Sequence, residues 1–241
     1  MSLSANVVWH DVECGSYEAD LRLWRELARA AGGPVLDVGA GTGRVALRLA
    51  HGGHDVTALD RDGELLAELA ERAAAANLEI ETVLADAEAI ELPRRYALIA
   101  VPMQTLQLLP HAAARGDFFA GAAAALAPGG LIAAAIADAL EAFDEYAPLP
   151  LPDIGEVEGL QYLSQPVAVR ELEGSVRIER VRQIVAPGGE RTSEDEAIEL
   201  QSVSAETLAR EAAPHGLRAE EPLAVPATDE HVGSTVVVLR G

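Results

Sequence analysis

The 241-residue chain contains no lysine, so all 18 of its basic residues are arginines. Schiff-base chemistry on a lysine side chain, including pyridoxal phosphate held in that way, is therefore excluded. The chain has a single cysteine, Cys14, which cannot form an internal disulfide. Because such cysteine usage is typical of a reducing compartment, we expect the protein to be cytoplasmic.

The chain also lacks the charge and the apolar runs that two classes of partner require. Its formal net charge is −21, since 39 acidic residues outnumber the basic ones. This charge argues against binding to nucleic acid and to anionic membranes. No apolar run is long enough to span a bilayer, and no signal-peptide pattern is present. The hydrophobic content of 49% predicts a soluble globule, either one domain with an insertion or two small domains.

A glycine-rich turn lies between a predicted strand at residues 35–38 and a predicted helix at residues 44–50. Its spacing is Gly-x-Gly-x-Gly, whereas the dinucleotide fingerprint places the third glycine one residue later. Glycine admits backbone angles and close approaches that a Cβ forbids. With Asp37 two residues ahead of Gly39, the pattern resembles motif I of the class I S-adenosylmethionine-dependent methyltransferases. A tight turn that binds no ligand is the alternative interpretation.

Alternating apolar segments continue on both sides of this turn. Further strands are predicted at residues 55–60, 79–84, 96–101, 131–136, 217–225 and 233–239, and further helices at residues 17–31, 65–76, 113–126 and from 204 onward. The resemblance implies an α/β fold of the Rossmann-like, doubly wound type. Its seven-stranded, mostly parallel sheet would have the last strand antiparallel beside the fifth.

Residues 138–202 interrupt this alternation with three period-two stretches, which predict an antiparallel sheet inserted after the fifth strand. We therefore divide the chain into a lid helix (1–33), a cofactor-binding core (34–137), a β-rich insertion over the acceptor site (138–202), and the last helix with the closing strands (203–241). A homodimer interface is the alternative use of the insertion.

Acidic residues at strand ends are the main cofactor candidates. Asp60 ends the second strand, where its two oxygens match the two ribose hydroxyls, while Asp62 is the better helix cap. The resemblance implies that Asp86 accepts from the adenine amine and that the backbone amide of Ala87 meets a ring nitrogen. The residues assigned to S-adenosyl-L-methionine are Asp37, Gly39, Ala40, Gly41, Gly43, Asp60, Arg61, Asp86, Ala87, Val101 and Pro102.

The resemblance implies in-line transfer of the methyl group to a small-molecule acceptor, with no metal. The Asn/Asp-Pro-Pro-Tyr/Phe motif of base and amide methyltransferases is absent from residues 102–107. No residue pair has the signature of a required base, and the catalytic candidates are Tyr17, Gln104, His111 and Tyr146. Packing of the lid for Tyr17 and a solvated helix start for His111 are the alternative roles. An NAD(P)-dependent reductase and a non-catalytic S-adenosylmethionine-binding module are the rival functions.

Overall fold

The computed structural model describes residues 3–138, 140–144, 146–228 and 231–241, which form two β-sheets and the helices packed on them. The strands are β1 (Val35–Val38), β2 (Val56–Asp60), β3 (Ile80–Leu84), β4 (Tyr96–Val101), β5 (Leu126–Ile136), β6 (Asp153–Val157), β7 (Leu160–Leu172), β8 (Ser175–Val185), β9 (Arg191–Gln201), β10 (Arg218–Ala219), β11 (Leu223–Val225) and β12 (Ser234–Arg240). The helices are α1 (Ala5–His10), α2 (Leu21–Ala31), α3 (Arg44–His51), α4 (Gly63–Ala75), α5 (Ala112–Ala125) and α6 (Ala205–Ala212).

The larger sheet has the strand order β10-β12-β5-β4-β1-β2-β3. Strands β1 to β5 are parallel, and β12 runs antiparallel beside β5. Both β10 and β11 pair with β12, so they share one position and the sheet has seven positions. The predicted fold class, including the antiparallel last strand, is confirmed.

Helices cover both faces of this sheet, as continuous apolar strands require. On one face Phe118 and Phe119 of α5 pack with Ile99 and Ile132. On the other face the core includes Trp24 of α2, which is fully buried. The carboxyl ends of the parallel strands therefore meet at one edge, which is where ligands bind in open α/β sheets.

The second sheet lies within the predicted insertion and has the antiparallel order β6-β7-β8-β9. Three of its strands coincide with the predicted period-two stretches, and a turn at residues 186–190 joins β8 to β9. Sequence patterning did not predict β6, a five-residue strand whose exposed Ile154 and central Gly155 give no apolar alternation.

The chain begins with an unpredicted element that we call the N-terminal segment, residues 3–16. It contains α1 and then a five-residue π-helical turn, Asp11–Gly15. Trp9 and Val12 of this segment are buried in a small core with Tyr162 of β7. The predicted helix over residues 17–31 begins only at Leu21, because residues 17–20 form an irregular turn after the segment.

A buried ion pair holds α2 against the start of α3. Arg44 Nη1 and Nη2 donate to the two oxygens of Asp20 at 2.6 and 2.8 Å, and the indole N–H of Trp24 donates to Asp20 at 2.8 Å. The side chains of Arg44 and Asp20 are only 9% and 2% exposed. Removing one member of such a pair leaves an uncompensated buried charge.

We therefore expect Asp20→Ala to lower the free energy of unfolding by about 3–5 kcal/mol, measured by urea denaturation. Glu18→Ala is the control, because Glu18 pairs with Arg48 on the surface. That change should cost less than about 1 kcal/mol. Equal effects of the two changes would contradict this view of the Asp20–Arg44 pair.

Candidate active site

The glycine loop connects β1 to α3 with left-handed backbone angles, φ being +72° at Gly39 and +54° at Gly41. A Cβ on Gly39 would lie 2.6 Å from Oγ1 of Thr105, and one on Gly41 would lie 2.2 Å from Nε2 of His10. The loop is thus enclosed by the segment after β4 and by the N-terminal segment. Both positions require glycine for close packing as well as for backbone angle.

Asp60 fixes this loop from the end of β2. Its Oδ2 accepts from the amide of Gly41 at 2.8 Å, and its Oδ1 accepts from the amide of Asp62 at 2.9 Å. Each carboxylate oxygen keeps acceptor capacity for a further donor, such as a ribose hydroxyl. Asp62 caps α4, as predicted, by accepting from the amide of Glu64 at 2.9 Å.

Asp37 lies on β1 immediately before the loop and is fully buried. Neither carboxyl oxygen has a hydrogen-bond partner among the described residues. Burial raises the pKa of Asp37 from 3.8 to about 7, although the nearby Arg44 and the backbone amide of Ala46 lower it. A buried acceptor without a donor beside a glycine cradle fits a ligand that carries an ammonium group, as S-adenosylmethionine does. The site therefore fits this cofactor.

The end of β3 brings a second acid to the same edge. Leu84 pairs with Asp60, and the amide of Ala85 donates to the backbone oxygen of Asp60 at 3.0 Å. Asp86 follows and is exposed, with Oδ1 accepting from the amide of Glu88 at 3.1 Å. Strand pairing therefore brings together three of the predicted groups: the glycine loop, Asp60 and Asp86.

The remaining predicted cofactor residues flank these groups. Arg61 is exposed beside Asp60, and Val101 and Pro102 are buried at the end of β4. Met103 follows with φ +55°, an uncommon angle for a residue with a side chain. Gln104 is partly buried at the start of a short 3₁₀ turn, Thr105–Leu108. The cofactor roles of these residues and the site role of Gln104 stay predictions.

Gln107, which the sequence presents as a second polar residue in this loop, joins three elements. It is 2% exposed, and its Nε2 donates to the backbone oxygens of Ala137 and Gln201, both at 3.1 Å. Its Oε1 accepts from the amide of Ala137 at 2.8 Å. The side chain thus links the loop after β4 to the ends of β5 and β9.

Of the catalytic candidates Tyr17 and His111, the first is buried and the second is exposed at the start of a helix. The Tyr17 ring is 6% exposed, with Arg44 5.1 Å and the His231 ring 5.0 Å from its centre. His111 caps α5, because its Nδ1 accepts from the amide of Ala114 at 3.0 Å. Sequence analysis missed His231, since it stands in a loop with no pattern around it.

The remaining candidate, Tyr146, lies before β6 and is 88% exposed. Nearby, Ala139 and Glu145 lie outside the described residues. In the part of the chain that the structure describes, no group of three or more His, Cys, Asp or Glu side chains could hold a metal ion. The described helices include none with the length and apolarity needed to cross a membrane.

Comparison with known proteins shows what the chain is similar to. Residues 35–130 match the family described as a methyltransferase domain. CalS10, an amino pentose methyltransferase from Micromonospora echinaspora, is 17% identical with a TM-score of 0.74, covering 100% of this chain and 98% of its own. KedS8, a sugar N-methyltransferase from Streptoalloteichus, is 17% identical with a TM-score of 0.74, and the match covers 100% of this chain and 93% of KedS8. The glycopeptide N-methyltransferase MtfA is 22% identical with a TM-score of 0.62, and the match covers 91% of this chain and 86% of MtfA. A search of curated proteins finds no match to the sequence.

The chain thus shares the Rossmann-like fold of these solved methyltransferases. Residues 35–130 thus match a methyltransferase domain, as the glycine motif predicts, and this match supports S-adenosylmethionine as the cofactor. The NAD(P)-dependent reductase is accordingly disfavoured.

We expect Asp60→Ala to weaken cofactor binding more than Asp86→Ala does. Asp60 would accept from two ribose hydroxyls, whereas Asp86 would accept from one amine. A lost hydrogen bond to a charged group costs about 1.5–3 kcal/mol, so Asp60→Ala should weaken binding about tenfold or more. Calorimetric titration measures this. Asp55→Ala is the matched control, because Asp55 immediately precedes β2 at the end opposite Asp60. Negligible effects of both Asp60→Ala and Asp86→Ala would place the pocket elsewhere.

Cofactor binding should release a proton from Asp37. An ammonium beside this carboxyl lowers its pKa from about 7, so at pH 6.5 binding should release roughly half to one proton. Titrations in buffers of different ionisation enthalpy measure the release, and Asp37→Asn should abolish it. Undiminished proton release in Asp37→Asn would contradict the assignment.

The same acid should make the free protein less stable as the pH rises. A carboxyl whose pKa is raised by folding stabilises the native state at low pH and loses this contribution between its ordinary value, 3.8, and about 7. Asp37→Asn should therefore raise the melting temperature at pH 8 and change it much less at pH 5. An equal shift at both pH values would show that Asp37 does not titrate in this range.

Proposed function

We propose that this chain transfers a methyl group from S-adenosylmethionine to an amine nitrogen of a small-molecule acceptor. The observation that carries the cofactor half is the partnerless, buried Asp37 beside a glycine loop that Asp60 holds in place. The proposal of a small-molecule acceptor is supported separately, by the net charge and by the elements that we propose cover the site.

Three features favour a small acceptor. The net charge of −21 repels nucleic acid. The loop after β4 lacks the motif of base and amide methyltransferases. The N-terminal segment packs against both the glycine loop and the β6–β9 sheet, which supports an enclosed site. The amine is suggested by CalS10, KedS8 and MtfA, whose descriptions name an amino pentose, a sugar nitrogen and a glycopeptide nitrogen.

The residues of the chain would act mainly by binding and orienting. When bound, the cofactor supplies an electrophilic methyl group on a sulfonium. Asp60 would accept from the ribose hydroxyls, Asp37 would pair with the ammonium, and Asp86 would accept from the adenine amine. Alignment and exclusion of water account for much of such a reaction. A neutral amine attacks through its lone pair and loses its proton afterwards, so no buried base is required.

We extend the proposal to the organisation of the chain. Residues 34–137 and 203–241 would form the cofactor-binding core, and residues 1–33 and 138–202 would cover the acceptor. Tyr17, Gln104 and Tyr146 are proposed to border the acceptor. A cytoplasmic location is also proposed, and a homodimer through the insertion is the alternative to its role as a cover.

S-adenosylmethionine and S-adenosylhomocysteine should bind in the micromolar range, while NADH should not bind. Isothermal titration with all three compounds tests this cofactor assignment. Heat from NADH alone would overturn it in favour of the reductase.

Transfer of tritiated methyl groups should label an amino sugar and leave its hydroxyl counterpart unlabelled. The acceptor panel should also contain bulk RNA and a histone-like protein, of which the basic protein is the stricter control because an acidic surface attracts it. Labelling of either macromolecule would overturn the small-molecule proposal. Cofactor binding without transfer to any acceptor would instead favour the non-catalytic binding module.

A further inference from the structure

The N-terminal segment lies between the glycine loop and the β6–β9 sheet, and it contacts each of them through one acid. Asp11 faces the glycine loop, and Glu13 faces the sheet. Both acids belong to the same five-residue π-helical turn, Asp11–Gly15. Only one residue separates them within this turn.

The contact with the glycine loop is charged and partly buried. Oδ1 of Asp11 accepts from the hydroxyl of Thr42 at 2.7 Å, and both of its oxygens accept from the guanidinium of Arg72 on α4. Burial alone would raise the pKa of Asp11, but its hydrogen bonds with His10, Arg72 and Thr42 hold that pKa well below its usual range. The ring of His10 packs directly on Gly41. Any ligand seated on this loop therefore lies close to the segment.

The contact with the second sheet is equally specific. Oε1 and Oε2 of Glu13 accept from Nε and Nη2 of Arg182 at 2.8 and 2.9 Å, and Oε1 also accepts from the hydroxyl of Ser164 at 2.8 Å. Nη1 of Arg180 lies 3.2 Å from the same oxygen. Burial acts to raise the pKa of Glu13, but Arg182, Arg180 and Ser164 outweigh it and lower that pKa. Glu13 thus fixes three side chains of β7 and β8.

Apolar contacts reinforce this second junction. The guanidinium of Arg182 lies 5.2 Å from the centre of the Trp9 ring, and Trp9 packs edge to face on Tyr162 at 5.1 Å. A Cβ on Gly155 of β6 would lie 2.7 Å from Cγ2 of Val12. The sheet is therefore closely fitted to the N-terminal segment over β6, β7 and β8.

We propose that Asp11 and Glu13 are positioning residues that couple ligand binding on the glycine loop to the placement of the β6–β9 sheet. Cofactor on the loop would hold Thr42 and His10, these would hold Asp11, and Glu13 would then hold β7 and β8. The cofactor thereby orders the acceptor side of the site before the acceptor binds. This inference rests on the proposed function, in which the loop binds S-adenosylmethionine and the sheet covers the acceptor.

Hydrogen exchange of the full chain with and without S-adenosylhomocysteine tests the coupling. In the unaltered protein, saturation with this compound should slow amide exchange in β7 and β8 about fivefold or more, the lower end of typical coupling between sites. In Glu13→Gln, slowing should persist at residues 39–43 and disappear from β7 and β8. Arg182→Lys keeps the charge but loses the two-pronged bond, and it should behave in the same way.

Glu18→Gln is the matched control, because Glu18 lies just after the segment and pairs with Arg48 on the surface. It should retain the slowing in both regions. A melting curve confirms that each variant is folded. If Glu13→Gln does not fold, Arg182→Lys tests the coupling in its place. The coupling alone would be overturned if S-adenosylhomocysteine bound the unaltered protein without slowing amide exchange in β7 and β8. It would also be overturned if that slowing persisted in the folded variants. Failure of the unaltered protein to bind S-adenosylhomocysteine would overturn the proposed function as well.

Discussion

The hydrogen bond from the amide of Gly41 to Asp60, 2.8 Å long, holds the glycine loop on the end of β2. The backbone oxygen of Leu59 adds two bonds, from the amides of Gly39 and Ala40 at 2.9 and 3.1 Å. The loop is thus shaped by β2 before any ligand is present. Because the same carboxylate keeps acceptor capacity, the group that would bind ribose is pre-organised by the fold itself.

Asp37, unlike Asp60, lowers the stability of the folded protein. Asp37 has no partner among the described residues, and its burial disfavours the charged form. Arg44 lies nearby, but both of its terminal nitrogens are already bonded to Asp20. A folded protein that retains such an acid is less stable than it could be, and an unpaired buried group of this kind is characteristic of functional sites.

The sequence predicted the core well because its signals are local. Strands β1 and β4 match their predicted bounds, since each is a continuous apolar run between turn residues. Strand β5 begins at Leu126 and not at residue 131, because Leu126 already pairs with Tyr96 of β4 and the regular pairing resumes at Leu131 after an irregularity. Asp60 and Asp86 were predictable for the same reason, as strand ends are readable and parallel pairing then brings them to one edge.

The other half of the site depends on contacts that no local pattern contains. Asp11 meets Thr42 and Arg72, which are 31 and 61 residues away, and Glu13 meets Arg182, which is 169 residues away. An amphipathic period describes a segment packed on one surface, whereas this segment packs on two surfaces and bends through a π-helical turn between them. A glycine motif therefore predicts what the chain binds. We propose that acceptor selection lies in the elements that the motif does not describe, so it has to be derived from the folded arrangement.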